Sequence, residues 1–440
     1  MYTKPAADSQ QTFFFSLGET LDRRHPLFIL ARAIDWGVFE EAFGKLYSPT
    51  FGRPCKPVRL MVGLLILKQI RNLSDESVVG QWAENAYYQH FCGNAQFTPC
   101  APCEASELVH FRKRIGEAGA ELIFKESIRI NGDDAKEAHV VADTTVQEKN
   151  IAFPTDAKLA RKIAAKCAKI AEEEQAKVRQ SYTRTLKKLA LDQRFRSHPK
   201  NKAKARRADR KARTIAGRLV RELLRQLPAQ NRWSADLALF GRVLAQRRDG
   251  KDKVYSLHEP EVRCIAKGKE RKKYEFGSKL SLLKTLTTDV IVGALDVRDA
   301  YDGNTLAPAL AQSERLTGVR AKTATGDRGY KGPKEIGGTR IQVPGTFKEG
   351  TTQYRRRRLR HDFRRRAAIE PVIGHAKSDH RLGRNFLKGV AGDAVNGMLA
   401  AAAYNFKRMM NKWRDGLSLF ARTFLRLFAA TPSRHYAYAS

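Results

Sequence analysis

The chain has 440 residues, and its 82 Lys and Arg residues outnumber its 46 Asp and Glu residues, giving a formal net charge of +36. Such an excess destabilises a compact state by self-repulsion unless a polyanion is near, so nucleic acid is the expected partner. The longest purely apolar run, at 60–67, is too short to span a membrane, and residues 1–20 lack the pattern of a secretory signal. We therefore expect a cytoplasmic, nucleoid-associated protein with no membrane partner.

Apolar residues recur every three or four positions after residue 27, which predicts an all-helical N-terminal domain over residues 1–130. The predicted helices cover 27–47, 57–73, 75–91 and 106–128. Ser74 is placed to cap the third of them. These helices either pack on themselves or on a second copy, or they supply a helix-turn-helix to a DNA groove. The sequence shows no clear recognition helix, which favours packing.

The six cysteines are few for this length. Cys100 and Cys103, with Cys92 and His110 nearby, have the one spacing that suggests a zinc site. The second ligand pair of a zinc finger is missing, and cytosolic thiols usually stay reduced. We therefore favour free thiols over zinc or disulfides.

A change of period marks the next region, because residues 138–154 are β-branched and partly alternating, which predicts a strand that contains Asp143. A basic helical insertion is predicted over 157–250. Its two apolar-periodic runs, 157–180 and 214–230, are separated by a segment rich in helix breakers at 196–213. The insertion is poor in aromatic residues, so its charges form either a solvated helix face or an arm that follows phosphates.

Strand-like sequence resumes in the catalytic region, which we place at 138–156 and 251–400. The predicted strands of one sheet lie at 253–259, 261–268, 274–287 and 289–299. A turn at 301–304, a helix at 305–318, a short strand at 321–327 ending in Asp327 and a further strand-like stretch at 338–345 follow. The last predicted elements are an arginine-rich helix and amphipathic helices at 392–413 and 417–428, and residues 401–440 form a C-terminal helical segment.

The arginine-rich helix raises a chemical question, because eight of residues 355–366 are arginine and one carboxylate, Glu370, follows them. A carboxylate beside a polyanion-binding run suits a divalent metal ion, since Mg²⁺ prefers oxygen ligands and two such ions can cleave a phosphodiester. Such a site needs about three carboxylates. Asp143, Asp327 and Glu370 come from separate elements, so only the fold can bring them together.

The spacing on this helix supports a phosphate-facing surface. Phe363, Arg366, Glu370 and Lys377 lie on one face at 3.6 residues per turn. Arg366 and Lys377 can each neutralise a phosphate beside the acid. His375 points away from this face, and we interpret it as structural.

Several of these segments resemble the DDE transposases of bacterial insertion sequences, specifically the group typed on insertion sequences four and five. The three catalytic segments of that family resemble "VVADTTVQEKNIAFPTDAKL", "TGDRGYKG" and "FRRRAAIEPVIGHAKSDHRLGRNFLKG". Its N-terminal domain resembles residues 53–82 and 105–119, so the resemblance covers nearly the whole chain. The catalytic helix of the family carries Tyr, two residues, Arg, three residues, Glu, six residues and Lys. This chain matches those spacings but has Phe363 where the family has tyrosine, which removes a hydroxyl that bonds a DNA phosphate.

The resemblance implies an α/β fold: an RNase H-like mixed-sheet catalytic domain with an all-helical N-terminal domain and a large basic helical insertion. It implies that Asp143, Asp327 and Glu370 bind two Mg²⁺ ions, for which Mn²⁺ substitutes. The implied DNA contacts are Arg328, Phe363, Arg366 and Lys377. The implied reaction cuts double-stranded DNA at the terminal inverted repeats and joins the 3′-hydroxyl to target DNA, within a homodimer.

Two other functions fit the sequence. A DNA-binding regulator would use the same basic charge without chemistry, and a metal-dependent nuclease would cut DNA without joining it. The carboxylates discriminate between enzyme and regulator, because a pure binder tolerates their loss.

Overall fold

The computed structural model describes residues 16–247, 249–266, 273–298, 301–330, 332–345 and 351–429, with side chains as far as residue 416. The chain divides into two compact units, residues 1–147 with 279–440 and residues 148–278. The second unit is therefore an insertion in the sequence of the first. Residues 1–15 of the predicted N-terminal domain and residues 430–440 of the predicted C-terminal segment lie outside the described ranges.

The N-terminal part of the first unit is helical, as predicted. Its helices are α1 Leu17–Thr20, α2 Pro26–Ala33, α3 Trp36–Gly44, α4 Val58–Ile70, α5 Asp75–Glu84, α6 Ala86–Phe91 and α7 Ala105–Ile130. Ser74 caps α5 as predicted, because its hydroxyl accepts a hydrogen bond from the Ser77 N–H at 3.0 Å. The apolar run at 60–67 lies within α4, where every residue from Leu60 to Ile70 is buried. This helix is thus the centre of the N-terminal core.

Three helix boundaries in this part differ from the prediction. Residues 27–47 form two helices, since Ile34 is extended and the Asp35 side chain caps α3 by accepting from the Gly37 N–H at 3.1 Å. Residues 75–91 also form two helices, because Asn85 is extended and caps α6. Helix α7 is kinked at Gly116, whose φ of 57° lies in a region that favours glycine. Local capping by short polar side chains therefore divides runs whose apolar period continues.

A mixed sheet forms the other layer of the first unit. Its strands are β1 His139–Lys149, β3 Tyr274–Thr285, β4 Ile291–Val297, β5 Thr323–Thr325, β6 Glu335–Ile336, β7 Thr339–Gln342 and β8 Arg384–Asn385. The order is β4-β3-β1-β5-β7-β6, with β8 also beside β1. Strand β4 is antiparallel to β3, while β5 is parallel to β1 and β7 is parallel to β5. This α/β arrangement is compatible with an RNase H-like catalytic domain.

Four helices follow or separate these strands: α12 Asp302–Thr317, α13 Gln353–Arg366, α14 Ile369–Asp379 and α15 Gly389–Ala429. The predicted turn at 301–304 is wrong, because Tyr301 is the N-cap of α12 and residues 302–304 form its first turn. The two predicted C-terminal helices are one continuous helix, α15, which also passes through residue 401. Buried residues of α15 such as Phe406 join the core that α4, α7, β3 and β4 share.

The inserted unit has its own core. It contains α8 Asp156–Glu173, α9 Thr183–Asp192, α10 Pro199–Gln226, α11 Ser234–Ala245 and the strand β2 Arg263–Ala266, which pairs with Tyr274–Gly277 of β3. Apolar side chains of all four helices form this core, including Ile163, Leu219 and Phe240, each of which is fully buried. Charged residues occupy the outer faces, so the helices are amphipathic.

One prediction for the insertion is wrong. The segment 196–213, interpreted as breaker-rich, contains the first half of the 28-residue helix α10. Its proline, Pro199, is the first helical residue, where the missing N–H has no helical partner to lose. Ala205, Ala208 and Ala212 are buried at helical spacing. These small apolar residues form the buried face of the helix. The sequence analysis missed this face because charged residues outnumber them in the segment.

The strand predicted at 253–259 for the catalytic region is also wrong, since these residues form no strand and belong to the inserted unit. Val254 and Leu257 are buried in the core of the insertion. The Gln246 amide replaces a neighbouring strand, because its Oε1 accepts from the Val254 N–H at 3.1 Å and its Nε2 donates to the Val254 carbonyl at 3.4 Å. A side chain eight residues earlier thus satisfies both backbone groups of Val254. Among the described helices, none has the length and apolar character of a membrane span.

Candidate active site

Asp143 lies within β1, and Asp327 lies two residues after the end of β5, the neighbouring parallel strand. Strand β1 pairs with β5 so that Val141 lies opposite Thr325, and each aspartate is two residues beyond its member of this pair. Side chains two residues apart share a face of a strand, and neighbouring strands lie about 4.8 Å apart. The sheet extends on the other side of Asp327, because the Gly326 N–H donates to the Gln342 carbonyl at 2.9 Å. Register therefore brings the two aspartates to one edge of the sheet.

A third aspartate, Asp302, which the sequence analysis missed, adjoins this edge. Its Oδ1 accepts hydrogen bonds from the Thr144 hydroxyl at 2.9 Å and from the Lys279 Nζ at 3.1 Å. Thr144 follows Asp143 directly in β1, and Lys279 is in β3. The sequence Asp-Gly-Asn at 302–304 drew attention to this position, but we interpreted it as a turn and not as part of a site. Asp302 instead begins a helix that packs on the sheet.

Gly329 connects the second and third aspartates. Its N–H donates to Asp327 Oδ1 at 2.8 Å. A Cβ atom at residue 329 would lie 2.9 Å from Asp327 Oδ1 and 3.0 Å from Asp302 Oδ2. Carboxylate oxygens of two aspartates thus approach the same point, and a side chain at residue 329 would displace them.

The Tyr330 side chain reports on the charge of this cluster. The ring is 2% exposed, and the segment Arg328–Tyr330 is a short 3-10 helix. Burial raises the pKa of the Tyr330 phenol, and the nearby negative charges of Asp143 and Asp302, with a smaller contribution from Asp327, raise it further. Tyr330 therefore stays neutral beside the three aspartates, so no extra anion forms there.

Glu370 lies on a helix that packs against the same sheet. Its neighbour Ile369 is fully buried and forms a small core cluster with Val141 of β1 and Leu286. Helix α13 also contacts β5. Glu370 itself is exposed, and its carboxylate makes no hydrogen bond or ion pair with any residue that the structure describes. Within the described ranges, no three His, Cys, Asp or Glu side chains are gathered into a group that could hold a metal ion. Asp143, Asp302 and Asp327 thus adjoin one another through Thr144 and Gly329, and among the described residues neither these aspartates nor Glu370 form a complete metal-binding group.

The predicted single helix with one functional face is wrong. Phe363 and Arg366 belong to α13, whereas Glu370 and Lys377 belong to α14. Between the helices, the Ala367, Ala368 and Glu370 N–H groups donate to the carbonyls three residues earlier instead of four. Pro371 explains why one continuous helix does not form. It has no N–H to donate to the Ala367 carbonyl, and proline is tolerated in a helix only within the first turn.

The remaining predicted contact residues are distributed around these elements. Phe363, Arg366 and Lys377 are half-buried, and Arg328, next to Asp327, is exposed. His375 is exposed, and its Nδ1 lies 2.8 Å from Asp379 Oδ2, consistent with a local role on α14. The cysteines lie elsewhere. Burial raises the pKa of Cys103 to about 11 and also raises that of Cys92, which disfavours the thiolates that zinc requires.

Comparisons with known families agree on one kind of protein. Residues 15–114 match the family described as "Transposase domain (DUF772)", and residues 251–406 match the family described as "Transposase DDE domain". The second match includes Asp327 and Glu370 and begins after Asp143. A relative from Rhizobium meliloti, "Uncharacterized protein ORF8 in nfe locus", is 41% identical over 201 residues, which are 44% of this chain and 97% of the relative. No solved structure matches the chain.

Proposed function

We propose a complete reaction for this chain, which belongs to the DDE transposases: it binds the terminal inverted repeats of an insertion sequence, cleaves the DNA at the element ends and joins the freed 3′-hydroxyl to target DNA. The observation that supports this proposal is the register of the parallel strands β1 and β5, in which Asp143 and Asp327 each follow the paired residues Val141 and Thr325 by two positions. We also place the chain in the group typed on insertion sequences four and five, on the spacing of Arg366, Glu370 and Lys377.

The donor set fits divalent metal ions with oxygen ligands, namely Mg²⁺ with Mn²⁺ as a substitute. In the proposal, Asp143, Asp327 and Glu370 hold these ions, and Glu370 joins the two aspartates when DNA and metal are bound. Two such ions supply activation of the attacking oxygen and stabilisation of the leaving oxygen. Asp143 and Asp327 are held in place by backbone N–H groups, from Thr144 at 2.7 Å and from Gly329 at 2.8 Å respectively.

Cationic side chains position the DNA in this proposal. Arg366, Lys377 and Arg328 contact phosphates, and the arginines of α13 add a sequence-independent attraction. Phe363, in place of the family's tyrosine, offers an apolar contact without the hydroxyl. Because two element ends are processed together, we propose that two copies of the chain act in the DNA complex.

The first test uses the purified protein with Mg²⁺ and labelled DNA that carries the sequences flanking its own gene. We expect the wild type to produce cleaved and joined products. The Glu370→Gln variant should bind the DNA and form neither product, while Glu335→Gln, another exposed glutamate, should behave as wild type. Cleavage without joining would indicate a nuclease, and tight binding by the wild type without cleavage would indicate a DNA-binding regulator.

Metal ligation is tested at single side chains. Asp327→Cys should be inactive with Mg²⁺, because thiolate is a poor ligand for that ion, and should recover part of its activity with a softer ion such as Mn²⁺. Asp302→Cys, with the same change next to the site, should show no such exchange of metal preference. Equal activity of Asp327→Cys and wild type with Mg²⁺ would exclude Asp327 as a ligand.

A further inference from the structure

The inserted unit contains a cavity of about 760 Å³ that the proposed reaction does not use. The rings of Phe153, Tyr255, Tyr274 and Phe276 line it, together with the cations Arg196, Arg210, Arg213 and Lys253. Asp156 and Asp209 are its acidic lining residues. We name this cavity the aromatic groove. Its volume is in the range of ligand sites, yet its lining is more cationic than that of most small-molecule sites.

The rings are arranged as a floor and a rim. Tyr255 and Phe276 are half-buried, with ring centroids 5.2 Å apart. Phe153 meets Phe276 edge to face at 5.4 Å and is 62% exposed. Tyr274 is two residues before Phe276, hence on the same face of β3, and is 52% exposed. Two large rings therefore remain accessible above a packed aromatic floor.

The charges around these rings favour an anion. Asp209 is paired with Arg196 at 2.5 Å, and Asp156 lies 3.6 Å from Lys253. Arg213 donates to backbone carbonyls of Leu244 and Gln246. Arg210 is exposed and makes no ion pair with another described residue. Both lining carboxylates are thus compensated, and the surplus charge is positive.

We infer that the aromatic groove binds unpaired nucleotides of a DNA strand, with bases stacked on Phe153 and Tyr274 and phosphates near Arg210 and Arg213. Exposed rings bordered by arginines are the combination that single-stranded nucleic acids require, since every base has a stacking face and every linkage has a charge. Duplex DNA presents phosphates but hides its base faces, so it uses the cations and not the rings. The inference rests on the proposed function only in taking DNA as the partner.

The test measures binding without cleavage. Fluorescence anisotropy in EDTA would compare a thymine oligonucleotide of about 12 nucleotides, within the site sizes of single-strand grooves, with an abasic oligonucleotide of equal length. We expect the thymine oligonucleotide to bind wild type about tenfold more tightly, because stacking contributes about one factor of ten per base. Tyr274→Ala and Phe153→Ala should each remove several-fold of this preference, and Tyr274→Phe should retain it.

The controls separate stacking from charge and from folding. Arg210→Ala should weaken binding of both oligonucleotides equally. Phe195→Ala, at a 77% exposed ring outside the groove, should change neither. The mutated rings are mostly exposed, so circular dichroism melts should coincide with wild type. Equal binding of the two oligonucleotides by wild type, or an equal loss in Phe195→Ala, would overturn the inference.

Failure of the inference and failure of the proposed function give different results. Glu370→Gln should bind the thymine oligonucleotide as wild type does, because Glu370 lies outside the inserted unit. If the protein cuts its terminal DNA but does not prefer the thymine oligonucleotide, only the inference about the aromatic groove is contradicted. A protein with the thymine preference that never cuts keeps the groove and loses the transposition chemistry.

Discussion

The two units of the chain use charge in opposite ways. The inserted unit carries 36 Lys and Arg residues against 15 Asp and Glu, whereas the longer first unit carries 46 against 31. Around the candidate site of the first unit, the distinctive charges are aspartates held by strand register and by hydrogen bonds from Thr144, Lys279 and Gly329. In the insertion, they are cations on the outer faces of amphipathic helices. Metal chemistry needs acids fixed within fractions of an ångström, whereas attraction of a polyanion needs only density of charge.

The largest expected effect is on chemistry in the first unit. Asp143→Asn and Asp327→Asn should each lower the cleavage rate by about 10³-fold or more, exceeding the loss of one preorganised hydrogen-bond donor. DNA affinity should stay equal or rise, because a negative charge is removed. Single-turnover cleavage and anisotropy measure the two quantities. Asp133→Asn, at a side chain 97% exposed, is the matched control and should leave both unchanged.

The next effect concerns stability, and it contrasts a buried charge with a half-buried one. Asp75 accepts from both Arg112 nitrogens at 3.1 Å and from Lys68 at 2.7 Å, and all three side chains are largely buried. Asp75→Asn leaves two buried cations without their anion, so we expect a loss of about 3–5 kcal/mol in the free energy of unfolding. Asp236→Asn in the insertion, where Lys166 is 3.8 Å away, should cost less than about 1 kcal/mol. Equal losses in urea titrations would contradict the contrast.

A cavity made by mutation in the core of the inserted unit tests whether this unit unfolds independently of the first. Leu219 is fully buried among the helices of the insertion. Leu219→Ala should lower the free energy of unfolding of this unit by about 2–5 kcal/mol. Hydrogen exchange should accelerate in α8 and α10 while α4 keeps its protection. Uniform acceleration across both units would show that they unfold as one.

A smaller effect is expected on the salt dependence of DNA binding. Arg206 and Arg207 are exposed on α10. Replacing both by alanine should reduce the slope of log affinity against log salt by about 2, since each phosphate contact contributes about 1. Cleavage at saturating DNA should be unchanged. The double lysine variant keeps the charges and should keep the slope, so a reduced slope there would point to a loss other than charge.

The smallest effect is a pH dependence of the first unit. Burial pulls the pKa of Asp75 upward, but hydrogen bonds from Arg112 and the charge of Lys68 outweigh it and hold the pKa below its usual value. The unfolded state therefore binds the proton more readily, and stability falls as the pH drops through the unfolded and then the folded pKa. Below about pH 4, the stability of wild type should fall more steeply than that of Asp75→Asn in acid titrations of unfolding.

Local signals predicted much of this fold from the sequence. Ser74 before α5, the β-branched stretch around Asp143 and the strand before Asp327 act through nearest neighbours, and the structure agrees with them. Pro199 and Pro371 each mark a helix boundary, but the sequence does not show which kind. A proline can begin a helix or interrupt one, depending on its position. The strand prediction for residues 253–259 was wrong, and at Val254 the Gln246 side chain takes the place of a neighbouring strand.

Some residues of the candidate site were likewise predicted from the sequence, and one was missed. Asp143, Asp327 and Glu370 were predicted from chemistry and family resemblance, and their assignment as ligands stays a prediction. Asp302 was missed, because the Asp-Gly-Asn sequence at 302–304 was interpreted as a turn and because its hydrogen bond from Thr144 joins residues far apart in the sequence. Its proximity to the other aspartates exists only once the sheet has formed.

The most direct test of the account is the single-turnover cleavage rate, with Mg²⁺ and saturating terminal DNA, of Asp327→Asn beside the Arg206→Ala, Arg207→Ala double variant. The account predicts that the aspartate variant binds fully and does not cut, while the arginine variant cuts at the wild-type rate once saturated. Near-normal cleavage by Asp327→Asn would contradict the assignment of chemistry to the sheet edge.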